Sequence, residues 1–311
     1  MRVRYLCVVI YMELKQITDN SYYISGQTNL GLFVEDNQAI LIDSGNDESA
    51  GRKIYRILEQ NKWTLTKIIN THSNADHIGG NAYLQKKTGC DILATSVEAT
   101  WINSPCLEPI LLWGASPFKA LRNKFLQAQS SKVTHIINPD GMIASTPLQA
   151  FSLEGHFLQM IGVKTPDEVF FIADSLFSPE IIYKYGITLR TDIEKTLQTY
   201  SFLEEFPAYF YVCSHAQPTK DISQLIQVNR CQIEQINNQV IEYCRKPISR
   251  EEIITNLVDD YHLVLSSVQY VLIHITVSAH LSFLCDRQII KPIFCKGKML
   301  WKNVDIAKVD K

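Results

Sequence analysis

The chain has no excess of charge of either sign: Lys and Arg number 30 against 32 Asp and Glu, a formal net charge of -2. No overall field draws it toward nucleic acid or an anionic membrane. The balance holds along the chain, with 11 basic and 10 acidic residues beyond residue 220 and 19 and 22 before it. CxxC pairs are lacking too. The eight cysteines (Cys7, Cys90, Cys106, Cys213, Cys231, Cys244, Cys285 and Cys295) are scattered, so they read as free thiols and the expected location is the reducing cytoplasm. Internal repeats and low-complexity tracts are missing. The N-terminal MRVRYLCVVIYMELKQ has an apolar run too short for a bilayer and no small-residue cleavage site after it. The expectation is an upstream start, with residues 1–12 a lead segment and the working domain beginning near Met12.

What the chain does have is apolar content: 46% hydrophobic over 311 residues is enough for a large core. In its first part, strand-like and helix-like segments alternate. LGLFVEDNQAILIDSG reads as a hairpin turning at Glu35-Asp36-Asn37. ESAGRKIYRILEQ places Ile54, Ile57 and Leu58 at helical spacing, TKIIN reads as a buried strand, and THSNADHIGG follows at once. Gly79 and Gly80 lead into a helix over NAYLQKK, and CDILAT is the next strand. Residues 101–145 have prolines, aromatics and basic residues without a period and read as an insertion near a site mouth. LQAFSLEGH, VFFIADSLF and YFYVCSHA are further strands, and a Thr-x-x-Glu box from Thr191 to Glu194 predicts a helix start. From residue 221 the pattern is three helices, the second capped by Ser249 with Glu252, then a hairpin around Lys296-Gly297, a winged-helix outline.

His72, Asp76 and His77 lie within six residues directly after an apolar strand, so one turn can aim imidazoles and a carboxylate at one point. Such a set suits Zn²⁺ or another borderline divalent ion. His156 follows SLEG, Asp174 ends VFFIA and His215 follows YFYVCS; strands of one sheet end side by side, which would gather these groups. His135, His262, His274 and His280 are assigned surface or core roles. Cys213 is expected to be buried as a small hydrophobe.

Five elements in order, ILIDSG, THSNADHIGG, LEGH, FIADSLF and the strand ending in His215, resemble the metallo-β-lactamase fold superfamily of hydrolases, over roughly residues 13–220. The resemblance implies an α/β fold, an αββα sandwich over 13–220 followed by a small helical winged-helix-like domain over 221–311. It assigns one metal position to His72, the residue at 74 and His156, and the second to Asp76, His77 and His215. Asp174 bridges both, Asp76 also orients the water, and Asp43 supports from behind. The departure is Asn74, where most members have histidine. A neutral amide oxygen is a weak ligand, so the first position is expected to bind more weakly than the second, giving one or two ions of zinc, with iron or manganese as other occupants. Members with a carboxylate there bind a redox-active iron pair, but no flavin domain follows here. After His156 the chain reads GHFLQMIGV, where the glyoxalase II type continues with small residues and another histidine, which points away from glyoxalase II itself.

The expected activity is hydrolysis of an ester, thioester, lactone or amide-like bond of a small-molecule substrate by a metal-activated hydroxide. A phosphodiesterase or nuclease on the same metals is the first alternative, prompted by Lys119, Arg122, Lys124 and Lys132 in the insertion. A metal-binding regulatory protein with little turnover is the second. Nucleic acid and membrane are not expected as partners, and a homodimer is admitted.

Overall fold

The computed structural model describes residues 12–304; the lead segment, Met12 apart, lies outside the described residues. The first sheet has the order β1 (Glu13–Gln16), β2 (Ser21–Ser25), β3 (Leu30–Glu35), β4 (Gln38–Ile42), β5 (Thr64–Ile69), β6 (Asp91–Ala94), β7 (His135–Ile136). Its first four strands form an antiparallel meander and the rest run parallel. Asp36 and Asn37 both have positive φ, 49° and 62°, and Glu35 pairs with Gln38. This is the two-residue turn that Asp and Asn tolerate. The second sheet holds β8 (Gly141–Met142), β9 (Gln149–Ser152), β10 (Ile161–Lys164), β11 (Val169–Phe171) and β12 (Phe210–Val212), antiparallel except for the β11–β12 pair.

The helices are α1 (Glu48–Asn61), α2 (Ala75–Ile78), α3 (Asn81–Thr88), α4 (Ser96–Asn103), α5 (Leu107–Trp113), α6 (Pro179–Tyr185) and α7 (Ile193–Glu205), then α8 (Ser223–Tyr243), α9 (Arg250–Asp260) and α10 (Ser267–Asp286). A final hairpin joins β13 (Ile290–Cys295) to β14 (Lys298–Asn303).

The apolar runs of the strands explain the layering, because alternate residues point to opposite faces. Phe33, Ile42 and Ile69 join Ala150, Val163, Phe171 and Val212 in the core between the sheets. Their neighbours Leu32, Leu41 and Ile68 turn outward to Ile54 and Leu58 of α1 and Leu84 of α3. On the far side Phe170 and Tyr211 pack with Tyr200 and Leu203 of α7 and Ile226 and Ile233 of α8. The result is helix, sheet, sheet, helix.

Two expectations need correction. Residues 101–145 are more than an insertion: they finish α4, form α5, and end by supplying β7 and β8, one strand to each sheet. Strands of two residues are too short to show a period. The cap of α7 is Asp192, whose carboxylate accepts from the Lys195 N–H at 3.0 Å, rather than Thr191. The Thr191 and Asp192 amides both donate to the Gly155 carbonyl, which tethers the chain so that the helix starts one residue later.

α10 is largely apolar and is packed on two sides. Ile273, Val277, Leu281 and Leu284 pack with α8 and α9, while Val271 packs with Leu112, Leu121 and Leu126. The seven described cysteines are free thiols.

Candidate metal centre

The motif leaves β5 at the edge of the sandwich and folds into the single turn of α2. That turn sits against the loop after β4, where a Cβ on Gly79 would come within 2.1 Å of the Asn46 carbonyl carbon and one on Gly80 within 2.3 Å of the Ser44 oxygen. The two glycines are what let these loops touch. Asp43 stands in that loop at φ 61°, a left-handed conformation that Asp tolerates. Its carboxylate accepts from the Thr71 N–H (2.9 Å), the Thr71 hydroxyl (2.7 Å) and His77 Nδ1–H (2.8 Å).

The hydrogen bonds behind the four histidines set one tautomer for all of them. Backbone carbonyls only accept, so His156 Nδ1, 3.0 Å from the Leu189 oxygen, and His215 Nδ1, 3.2 Å from the Gln27 oxygen, carry protons. The Thr71 hydroxyl gives its proton to Asp43 and so accepts from His72 Nδ1 at 3.0 Å. All four Nε2 atoms are thereby turned to one place. His77 Nε2 lies 3.1 Å from Asp174 Oδ1 and 3.7 Å from Asp76 Oδ2. His215 Nε2 lies 3.2 Å from Asp174 Oδ2 and 3.3 Å from Asp76 Oδ2, and His156 Nε2 is 3.4 Å from Asp174 Oδ2.

Buried His72 Nε2, His77 Nε2 and Asp174 Oδ1 have no hydrogen-bond partner. Unpartnered imidazole nitrogens facing carboxylate oxygens are the donor set a divalent cation needs, with outer hydrogen bonds already in place and the proton of His77 Nε2 to be displaced on binding. The electrostatics agree. Burial lowers His77, but the carboxylates of Asp174, Asp76 and Asp43 outweigh it and raise the ring well above its usual value. Against burial, Asp174 and Asp76 raise His215 to about 10. Burial, with the nearby imidazoles, holds His72 well below the ordinary range and His156 at about 4. Asp174 stays well below the carboxylate range although burial opposes it, because His215, His77 and His156 surround it.

Asp43, His72, Asn74, Asp76, His77, His156, Asp174 and His215 therefore all meet in one cluster. Among the described residues, two sets of ligand atoms lie within 4.8 Å of one another: Asp76, His77 and His215, the set expected for the second position, and His72, His77 and Asp174. His72 stands closer to His77 than to His156, with ring centroids 4.0 and 5.1 Å away. His156, Asp174 and His215 are gathered by strands of one sheet, as expected, and the other ligands come from the other half of the sandwich. His72, Asp76 and His77 follow β5 of the first sheet, whereas His156, Asp174 and His215 follow strands of the second, and the two groups meet across the open edge of the sandwich.

Asn74 has its own partners. Its Oδ1 lies 3.0 Å from His156 Nε2, and its Nδ2–H donates to Glu108 Oε1 at 2.9 Å. Both residues are buried, and burial pushes the Glu108 carboxyl well above its usual range. Sequence reasoning missed Glu108 and also Glu98, a fully buried carboxylate that accepts from the Ser73 and Gln159 amides at 2.9 and 2.8 Å. The signal available was a single acid in an apolar helix, LEPILLW and SVEATWI. Arg190, also missed, is buried with Thr188, Tyr200 and Asn229 as partners.

A cleft of about 530 Å³ opens over the cluster, with Asn74, Asp76, His156, Asp174 and His215 in its floor. The segment after residue 101 contributes Glu108, Phe125 and Leu126 to its lining, whereas Lys119, Arg122, Lys124 and Lys132 do not line it. Lys124 instead pairs with Asp47 at 2.8 Å. Cys213 is fully buried in the core, Cys106 and His135 are exposed, and buried His280 bonds to Asn237.

Two sheets between helices, with imidazoles and carboxylates gathered at their shared edge, define an αββα sandwich with a candidate metal centre. The chain carries a metallo-beta-lactamase superfamily domain, the model of which matches residues 24–110. Among its relatives, the probable metallo-hydrolase YqgX of Bacillus subtilis is 24% identical over 63% of this chain and 88% of its own. A hydroxyacylglutathione hydrolase of Nitrobacter hamburgensis is 30% identical over 48% of this chain and 49% of its own, so the chain spans about half of that relative. In fold it matches a beta-lactamase domain protein from Burkholderia ambifaria (TM-score 0.70, 14% identity, 94% of each chain). A metallo-beta-lactamase family protein from Thermus thermophilus is similar to the same degree (TM-score 0.69, 15% identity, 95% of this chain and 98% of that one).

Proposed function

We propose that this protein is a metal-dependent hydrolase of a small molecule with an ester, thioester, lactone or amide-like carbonyl. The observation that carries it is the common tautomer of His72, His77, His156 and His215, whose Nε2 atoms all turn toward Asp76 and Asp174 at the floor of a cleft. His72, Asn74 and His156 on one side, and Asp76, His77 and His215 on the other, would hold one or two divalent ions, with Asp174 between them; zinc suits this mixed imidazole and carboxylate set. Bound ions would supply Lewis acidity, lowering the pKa of a water and polarising the carbonyl oxygen. The chain's own groups do the rest. Asp76, partly exposed and steadied by the Thr28 hydroxyl at 2.9 Å, orients the water. Asp43 keeps the His77 tautomer fixed throughout.

The names of the relatives, metallo-hydrolase and hydroxyacylglutathione hydrolase, support a carbonyl substrate. A cytoplasmic location and an organisation into 13–220 and a winged-helix-like 221–311 belong to the same proposal. The test is a panel of thioesters, lactones, esters and bis-aryl phosphates offered to zinc-loaded protein. Turnover confined to the phosphodiesters would overturn the carbonyl assignment. No turnover at all, with capture of a tight macromolecular partner, would replace the enzyme reading with a regulatory one.

A further inference from the structure

The wall of the cleft is built differently from its floor. Val268 and Leu272, one turn apart on α10, and Ile273 beside them line it. Residues four apart share a helix face, so Val268 and Leu272 form one apolar strip, flanked by Gln269 and Ile273. Val268 and Leu272 are half-buried and also pack against Leu112, Leu121 and Leu126, and Ile273 is buried with α8 and α9, so the cleft meets the edge of a packed helix that holds its side chains in place. At the rim, Phe125 and Tyr185 also line the cleft and are 58% and 37% exposed. Exposed aromatics at the mouth of an apolar cleft mark a ligand surface rather than a packing surface.

The charge count points the same way. Away from the proposed metal ligands, Lys184 is the one Lys or Arg among the described residues that line the cleft and Glu108, held by Asn74, the one carboxyl. A glutathione thioester brings two carboxylates and an ammonium that would need partners along such a wall, since buried or half-buried charge is costly without them.

On the hydrolase reading above, we infer that the substrate is a neutral ester, thioester or lactone of an apolar carboxylic acid, whose hydrocarbon part lies along Val268, Leu272 and Ile273 of α10. In the reaction, water oxygen bonds to the carbonyl carbon and the acyl–oxygen or acyl–sulfur bond breaks. The alcohol or thiol departs with a proton and the apolar carboxylic acid is the product; from a lactone the hydroxyl stays on the chain and the product is the hydroxy acid.

The experiment is kcat/KM of the zinc-loaded full chain on p-nitrophenyl esters from acetate to octanoate, with neutral acyl N-acetylcysteamine thioesters and S-lactoylglutathione alongside. Burial of each added methylene should raise kcat/KM about fourfold until the wall is covered. Neutral thioesters should exceed S-lactoylglutathione by about tenfold or more. Leu272→Asp should bring the octanoate-to-acetate ratio close to one, and Val268→Trp should move the optimum to shorter chains, with bound zinc unchanged in both as the check on folding. A flat chain-length series, or S-lactoylglutathione as the better thioester, would overturn the inference while leaving the hydrolase reading in place. Absence of turnover with every carbonyl substrate overturns both, and does so visibly in the unsubstituted protein.

Discussion

The Glu108 carboxylate decides which end of the Asn74 amide faces the first metal position. It accepts from Asn74 Nδ2–H at 2.9 Å, and this leaves Oδ1 turned to His156 Nε2 at 3.0 Å. In Glu108→Ala that acceptor is gone and the amide is free to rotate. Nδ2–H would then donate to the His156 lone pair, the atom a metal needs. Leaving a buried polar group without its hydrogen bond costs about 1–3 kcal/mol, so the first position should lose roughly 5- to 100-fold in affinity. The second position, whose groups are Asp76, His77 and His215, does not touch Glu108 and should be spared. Competition with a chelator of known affinity, read as two successive zinc equivalents, separates the positions. Glu108→Gln, which keeps an acceptor, should retain most of the affinity. The decisive control is the double-mutant cycle: in an Asn74→Ala background the Glu108→Ala effect should vanish. Unchanged binding in Glu108→Ala, or an undiminished effect without Asn74, would refute the reasoning.

Asn74→His places a nitrogen ligand beside Glu108, which can accept from its other ring nitrogen; zinc stoichiometry by elemental analysis should rise from roughly one ion per chain toward two, and no rise counts against a weakened first position. His77→Ala removes the group common to both ligand sets, so metal content should fall well below one ion per chain and the melting temperature should drop. Metal binding should release protons at neutral pH. The sign follows from the raised values of His77 and His215, the latter about 10: both hold protons at pH 7 that a metal must displace, so affinity should climb with pH across the neutral range, seen as a buffer-dependent heat in calorimetry. A buffer-independent heat would contradict it. Asn229→Ala should destabilise the protein by about 2–4 kcal/mol in urea, because it leaves both polar groups of Phe177 and the buried Arg190 short of a partner.

Much of the site was legible because its residues sit where strands end, and strands announce themselves by apolar runs. ILID, TKIIN and VFFIA are sheet interiors, and the polar residues that break each run or follow within two positions, Asp43, His72 and Asp174, must lie at the sheet edge. The hairpin at Asp36-Asn37 and the α9 cap were readable for the same local reason. What stayed hidden depends on partners distant in sequence. Glu108 is one acid among six other residues of a short helix, and nothing local says that it reaches Asn74, 34 residues away. β7 and β8 are set by the strands beside them, and Thr191 lost the cap of α7 to a carbonyl at Gly155.

The supports of the two halves of the centre come from different parts of the chain. His72 and His77 lean on Thr71 and Asp43, all beside the first sheet. His156 leans on the carbonyl of Leu189, in a stretch pinned by helices beyond residue 221: Gln232 donates to the Gly186 carbonyl at 2.7 Å and accepts from Thr188 at 2.8 Å, and the Arg190 amide donates to Thr276 at 3.1 Å. His215 stacks on Phe177, at 5.9 Å and 10°, and Asn229 of α8 holds the Phe177 backbone by both its amide and its carbonyl. Ile226 and Ile233 of the same helix sit in one cluster with Tyr200 of α7, so α8 is joined to the sandwich by packing as well as by hydrogen bonds. The helices after residue 221 therefore serve the centre twice, as the apolar wall of the cleft and as the frame behind two of its four imidazoles. Loosening α8 should free His156 and His215 while His72 and His77 keep their tautomers, because nothing in the Asp43 network passes through that helix.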